Sequence, residues 1–324
     1  MGTTIQTMLE AAMAGNRVCL ARLLSQIERS PAIESELRRA LSGIEPKAVV
    51  VGVTGPPGAG KSTLISTLLA PATDAMGQTA VLAIDPSSPF SGGALLGDRV
   101  RMQNHGLGNR VFIRSMASRG ESGGLARTTA TAVQLLDACG WPLIILETLG
   151  IGQVELDVMD LATVVMVVLN PGWGDTFQAN KAGLTEAGDL FVINKADKEG
   201  ASQTRSDLKD SLALLQSPLP ISIFDTVATK QQGIDELWCG IEQYLSGARE
   251  LGLLSHKQAE RRRRLLLRIL ERDLLAYMQQ YLGSDLGSQQ VSAVLSGNKS
   301  IEALQADLLA HLSRAKNNES QKVL

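Results

Sequence analysis

An apolar run, Val49-Val50-Val51-Gly52-Val53, leads at once into Gly55-Pro56-Pro57-Gly58-Ala59-Gly60-Lys61-Ser62, and helix formers follow from Ser62 to Leu69. The segment fits G-x-x-x-x-G-K-[ST] at every fixed position. A strand before it and a helix after it are the context that a phosphate-binding loop requires. Glycines let successive backbone N–H groups turn inward around an anion with no Cβ in the way. The helix that begins near Lys61 points its positive end at the same anion. The candidate phosphate contacts are therefore Gly55, Pro56, Pro57, Gly58, Ala59, Gly60, Lys61, Ser62 and Thr63. Lys61 is expected to reach the β- and γ-phosphates, and the Ser62 hydroxyl to serve as a ligand to Mg²⁺. A plain glycine-rich turn is the alternative, and the flanking pattern argues against it. The chain is expected to bind a nucleoside triphosphate.

Around this loop the pattern strand, turn, helix repeats, with strands expected near 48–54, 79–85, 110–114, 143–147, 163–169, 190–194 and 221–224. Such alternation predicts an α/β fold: a doubly wound, mainly parallel sheet with helices on both faces. Residues 1–46 form an N-terminal helical extension of two or three short helices, broken at Gly15-Asn16 and Ser30-Pro31. Residues 47–248 are assigned to the nucleotide domain and 249–324 to a C-terminal helical region. Leu265-Leu266-Leu267, Ile269-Leu270 and Leu274-Leu275 alternate there with charges, then Tyr277, Met278 and Tyr281 extend the stripe. A long amphipathic helix of this kind is expected to bury its stripe against a second subunit or another helix.

The base is read further along. The short strand Leu190-Phe191-Val192-Ile193 ends in Asn194-Lys195-Ala196-Asp197, which matches N-K-x-D. An aspartate there accepts two hydrogen bonds from guanine, at N1–H and the exocyclic amine; adenine lacks that donor pair. Asn194, Lys195 and Asp197 are thus candidate guanine contacts, and the backbone N–H of Ala228 is a further candidate at guanine O6. Asp85 and Glu147 each end an apolar strand, the position where ligands bind in open α/β sheets. With Asp98 they are candidates for the Mg²⁺ shell, although each also suits a simple capping role. Two glycines follow Glu147, in Gly150-Ile151-Gly152-Gln153, and suggest a loop that meets the γ-phosphate. Gln153 is a candidate for orienting the attacking water.

Composition adds exclusions. The 324 residues, 44% hydrophobic, carry a net charge of −2, so bulk charge favours neither nucleic acid nor an anionic membrane. Apolar stretches are strand-sized and no secretory leader is evident, so a cytoplasmic chain away from membranes is expected. Cys19, Cys139 and Cys239 are far apart and odd in number, which suits buried thiols in a reducing cytosol. Arg261-Arg262-Arg263-Arg264 is balanced by Glu260, Glu271 and Asp273 and lacks interleaved aromatics, so it reads as a solvated or subunit-facing helix surface.

Taken in order, Asp85-Pro86-Ser87-Ser88, Gly92-Gly93, Leu96-Gly97-Asp98-Arg99, Arg114-Ser115, Gly123-Gly124-Leu125 and Glu147-Thr148-x-Gly150-x-Gly152-Gln153 accompany the phosphate loop and N-K-x-D. Pro171-Gly172-Trp173-Gly174-Asp175 and Gln178-Ala179-Asn180-Lys181-Ala182-Gly183 follow. This set resembles the methylmalonyl-CoA mutase-associated GTPases, the MeaB/ArgK-like group, over roughly residues 10 to 250. The resemblance implies a GTP-hydrolysing chaperone that docks on an adenosylcobalamin-dependent acyl-CoA mutase and gates cofactor loading. It implies GTP/GDP and Mg²⁺ as ligands and a homodimer held partly by C-terminal helices. Lys61, Glu147, Gln153 and Lys181 are the catalytic candidates it implies, with Lys181 supplying charge to the developing phosphate on docking; by sequence alone Lys181 also suits a solvated helix lysine. Ser62, Asp85, Asp98 and Glu147 are the implied metal shell. A nickel-insertion GTPase and a small-molecule kinase of the same class are the alternatives.

Overall fold

The computed structural model describes residues 4–85, 107–117, 122–148, 159–172, 188–213 and 219–320. Three short helices come first: α1 (Ile5–Met13), α2 (Arg17–Ile27) and α3 (Pro31–Ala40). Then follow β1 (Val49–Thr54), α4 (Lys61–Met76), β2 (Thr79–Asp85), β3 (Val111–Ala117), α5 (Ser122–Ala138), β4 (Leu143–Thr148), β5 (Val164–Leu169) and β6 (Leu190–Asn194). The described chain continues with α6 (Ala201–Leu212), β7 (Ser222–Thr226), α7 (Ile234–Glu250), α8 (Leu253–Leu282), α9 (Asp285–Leu295) and α10 (Ile301–Ser320). Single 3₁₀ turns occupy Gly108–Arg110 and Ala228–Lys230.

The strands form one seven-stranded sheet in the order β3-β2-β4-β1-β5-β6-β7, with every neighbouring pair parallel. β-Branched and aliphatic runs buried on both faces are what such a sheet demands. Alternation along each strand divides the core in two. Val164, Met166 and Val168 join Leu64, Ile65 and Leu68 of α4 and Leu237 and Ile241 of α7. Val165, Val167 and Leu169 face the other layer, with Leu20, Leu23 and Leu24 of α2, Leu37 of α3 and Leu135 and Leu136 of α5. The fold is the expected doubly wound α/β sheet.

The N-terminal helices are integral to that second layer. Gly15, with φ of 95°, closes α1. Asn16 Oδ1 then caps α2 by accepting from Val18 N and Cys19 N, both at 3.1 Å. Ser30 Oγ accepts from Ile33 N at 3.4 Å, and Pro31 takes the first helical position, where a missing N–H does no harm. Arg114 of β3 pairs with Glu28, the residue that ends α2. Arg17 donates to the carbonyl of Val111 at 3.1 Å and lies 4.9 Å from the Trp141 ring, fixing α2 to the edge strand.

Two strands run further than their apolar letters predict. β3 continues through Ser115 and Met116 because both pair with β2 and are buried. β7 continues to Asp225 and Thr226 because these pair with Ile193 and Asn194. The second extension brings Thr226 beside the N-K-x-D segment.

The chain divides into two compact units, Met1–Leu265 and Leu266–Leu324, with the division inside α8. In the first, Lys257 Nζ donates to Asp189 Oδ1 at 2.6 Å and to Tyr244 Oη at 2.7 Å, and Arg264 pairs with Asp160 at 3.2 Å. These bonds anchor the start of α8 to residues preceding β6 and β5. In the second unit, Ser284 Oγ caps α9 by accepting from Gly287 N at 3.2 Å, and Tyr281 packs on His311 with ring centres 4.7 Å apart. Among the described residues no helix is long and apolar enough to cross a membrane.

Candidate functional site

The chain leaving β1 crosses to β2 on one side, whereas β4 leads on to β5 on the other. The crevice between these two directions of winding opens at the carboxyl end of β1, the usual ligand position in such sheets. Gly55-Pro56-Pro57-Gly58-Ala59-Gly60 fills that position between Thr54 and Lys61. Two of its glycines have no substitute. Gly55 has φ of 144°, and a Cβ there would lie 2.0 Å from the carbonyl oxygen of Val168. At Gly60, with φ of 88°, a Cβ would lie 2.4 Å from Asn194 Nδ2. The loop is pressed against β5 and the end of β6, so its backbone geometry is set by neighbours rather than by itself.

Lys61 opens α4, is 5% exposed, and its ammonium donates to the carbonyls of Gly55 at 2.8 Å and Pro56 at 2.9 Å. A buried ammonium needs such acceptors. Bonded this way, the side chain lies back along the loop and its charge is held at the loop's mouth. Ser62 Oγ donates to Glu147 Oε1, and Glu147, the penultimate residue of β4, is 3% exposed. The register Ala83–Glu147 and Ile84–Thr148 carries the end of β2, Asp85, to the same rim. The side chain of Asp85 lies outside the described residues, as do Asp98, Gln153 and Lys181 altogether.

The N-K-x-D segment meets the phosphate loop through Asn194, which is buried. Its Nδ2 donates to the Ala59 carbonyl at 2.9 Å, and its Oδ1 accepts from Ala228 N at 3.1 Å and Thr226 Oγ1 at 3.2 Å. One amide thus joins three segments: phosphate loop, N-K-x-D and the loop after β7. Sequence reasoning lists Asn194 and Ala228 as separate nucleotide contacts; here they bond to each other. Lys195, with φ of 58°, reaches back to donate to the Gly58 carbonyl at 2.6 Å and lies over the loop. Asp197 is more exposed and pairs with Lys230 at 2.8 Å. The Lys230 bond, more than any other influence, holds the Asp197 carboxyl below its ordinary value.

Lys230 was not singled out by sequence. The available signal is its place three residues after Val227 in Val227-Ala228-Thr229-Lys230, within reach of Asp197. Thr54 and Thr148, which end β1 and β4, were missed as well; their hydroxyls are 3.3 Å apart and tie the strand ends that carry the loop and Glu147.

These residues fit a nucleotide triphosphate with Mg²⁺. The loop glycines are held in conformations that turn backbone N–H groups to one side, and α4 starts there with its positive end. Ser62 and Glu147 offer hard oxygen donors, and Mg²⁺ takes one or two such groups together with phosphate oxygens and waters. Among the described residues no group of three or more His, Cys, Asp and Glu forms a metal cage of its own. A separate cavity of about 630 Å³, lined in part by Lys47, Asp137, Asp160 and Arg262, lies at the amino ends of β1 and β5 and is not part of this site.

Residues 20–281 match the family described as methylmalonyl Co-A mutase-associated GTPase MeaB. A Pyrococcus abyssi protein named as a GTPase is 45% identical over 262 residues, which span 79% of this chain and 81% of that protein. The mouse (Mus musculus) mitochondrial methylmalonic aciduria type A homolog is 30% identical over 285 residues, spanning 82% of this chain and 69% of its own. Among solved structures, one of a LAO/AO transport system kinase superposes with a TM-score of 0.70 at 24% identity, covering 97% of this chain and 99% of that one. That likeness concerns the fold.

Proposed function

Because the chain belongs to the methylmalonyl-CoA mutase-associated GTPase family, MeaB, and is a P-loop GTPase, we propose that it serves as the GTP-driven chaperone of an adenosylcobalamin-dependent acyl-CoA mutase. The observation that carries this reading is the family match over residues 20–281, which takes in the phosphate loop, N-K-x-D and the start of the C-terminal helices. The reaction is attack of water on the γ-phosphorus of GTP, breaking its bond to the β-phosphate oxygen and releasing GDP and phosphate.

In this reading the chain's own groups divide the work. Lys61 leaves its two carbonyl partners and sets its charge against the β- and γ-phosphate oxygens, where negative charge is redistributed as the bond breaks. Ser62, freed from Glu147, would offer its hydroxyl oxygen to Mg²⁺, and Glu147 would stay close enough to hold that hydroxyl. Mg²⁺, when bound, neutralises charge between phosphate oxygens. Asp197 reads the guanine edge, Lys195 covers the base plane, and Asn194 keeps phosphate and base subsites at a fixed distance. Gln153 is assigned to the attacking water and Lys181 to charge supplied when the mutase docks; Asp85 and Asp98 complete the metal shell. These assignments rest on the family resemblance at those positions.

The same reading makes the protein a homodimer. Leu266, Leu270 and Leu274 recur at four-residue spacing on α8 and are about half exposed, a stripe suited to a second copy. The three cysteines are free, which suits a reducing cytoplasm, but they are not buried as expected: Cys19 and Cys139 are half-buried and Cys239 is exposed. Neither nucleic acid nor membrane enters this reading, and no observation favours a nickel-insertion or kinase role.

Size-exclusion chromatography of the protein with a cobalamin-dependent methylmalonyl-CoA mutase tests the docking claim. Co-elution that changes between GDP and a non-hydrolysable GTP analogue is expected. Independent elution in every nucleotide state, with acyl-CoA mutases of each substrate class, contradicts it.

A further inference from the structure

We propose that Lys230 is a positioning residue for base recognition: it fixes the Asp197 carboxylate in the direction that guanine requires, and so sets part of the preference for guanine. The inference rests on Asp197 being the base reader.

A carboxylate that discriminates by two parallel hydrogen bonds must be held in one orientation; left free, it turns about its terminal torsion and the pair is lost. The Asp197 carboxylate accepts from the Lys230 ammonium, at 2.8 Å to Oδ2. Each carboxylate oxygen accepts at two sites, so Oδ2 can keep Lys230 and still take one guanine donor while Oδ1 takes the other. The pair therefore orients Asp197 without blocking it. It also keeps the carboxylate ionised, since the lysine bond stabilises the charged form.

The loop that carries Lys230 is built to hold it still. Val227 N donates to the Gln232 carbonyl at 3.1 Å and Gln232 N donates back to Val227 at 3.3 Å, closing the loop at its base. Inside it, Lys230 N donates to Val227 O at 2.9 Å and Gln231 N to Ala228 O at 3.2 Å. Gln231 takes φ of 56°, the left-handed turn that ends the 3₁₀ segment and leaves Lys230 pointing out of it. At the other end Ala228 N is bonded to Asn194, three residues before Asp197. The two segments are thus joined by buried hydrogen bonds from Ala228 N and Thr226 Oγ1 to Asn194, by a bond from Ala196 N to the Thr226 carbonyl, and by an exposed ion pair through Lys230. Val227 and Ala228 offer no polar side chain to Asp197; the side chain of this loop that bonds to it is Lys230.

Isothermal titration of the full chain with GDP and with inosine diphosphate, both with Mg²⁺, tests this. Inosine diphosphate lacks the exocyclic amine, so the ratio of the two affinities reports how well Asp197 reads that group. In Lys230→Ala the GDP affinity is expected to fall by about fivefold and the inosine diphosphate affinity by less than about twofold, with Lys230→Arg restoring most of the ratio. Equal losses for both nucleotides, or none, overturn the proposal, since a merely structural lysine would act without regard to the base. Asp197→Ala separates the underlying reading: collapse of the ratio there supports Asp197 as the reader, and an unchanged ratio removes the base reading and this inference with it. Lys230 is 56% exposed, so a thermal melt close to that of the parent chain is expected for both lysine variants.

Discussion

The two compact units treat their leucines in opposite ways. In Met1–Leu265, Leu23, Leu24, Leu37, Leu64 and Leu69 are fully buried and pack in the two layers on either face of the sheet. In Leu266–Leu324, Leu266, Leu270, Leu274, Leu286 and Leu309 are between 47% and 62% exposed, and Leu295 is 83% exposed. The contrast is one of self-sufficiency. A seven-stranded sheet with both faces covered satisfies its own apolar surface, and its polar groups are free to form a nucleotide site. Among its described residues the helical unit has few buried anchors, such as Tyr281 and Leu308, and its leucines form an exposed apolar surface.

That contrast can be broken by substitution. Lys61→Ala is expected to reduce GTP turnover by about a hundredfold or more, since it removes a charge that meets the phosphates in the transition state. Its sedimentation should match that of the parent chain if nucleotide chemistry and association reside in different units. Leu23→Ala, made where the N-terminal helices meet the sheet, should lower unfolding free energy by about 2–5 kcal/mol in urea titration. A loss near zero would mean that the N-terminal helices are dispensable to the first unit. Leu270→Glu should weaken self-association by at least tenfold, corresponding to about 1.5–3 kcal/mol for an apolar side chain no longer buried, while GDP affinity is unaffected. Asn16→Ala, which removes the cap of α2, sharpens the comparison most gently: about 1 kcal/mol lost from the first unit, read by the same urea titration.

Legibility followed the same divide. Where one residue type has one physical role, the sequence announced it: glycines in the loop, Gly15-Asn16 and Ser30-Pro31 as breaks between helices, apolar runs for seven strands. The carboxylate that ends the apolar run of β4, Glu147, lies against Ser62. What could not be read was pairing across distance. Asp197 and Lys230 stand 33 residues apart, and Lys257 and Asp189 stand 68 apart. Nothing in either local pattern names the partner, because the contact is made by the order of strands. The tails of β3 and β7 were missed for a related reason, since Ser115 and Thr226 are polar residues that a neighbouring strand recruits. Asn194 shows the limit from the other side: its motif is plain, yet its amide bonds to Ala59, Thr226 and Ala228 and so holds three segments of the chain together.

The central claim is that this GTPase answers to a cobalamin-dependent mutase. The most direct test is steady-state GTP turnover of the purified chain, alone and with methylmalonyl-CoA mutase, with Lys61→Ala as the blank and ATP as the base control. Slow GTP hydrolysis that rises at least about tenfold on adding the mutase, with ATP inert, is the predicted result. GTP hydrolysis unchanged by that mutase or by others of its cofactor class would contradict the claim.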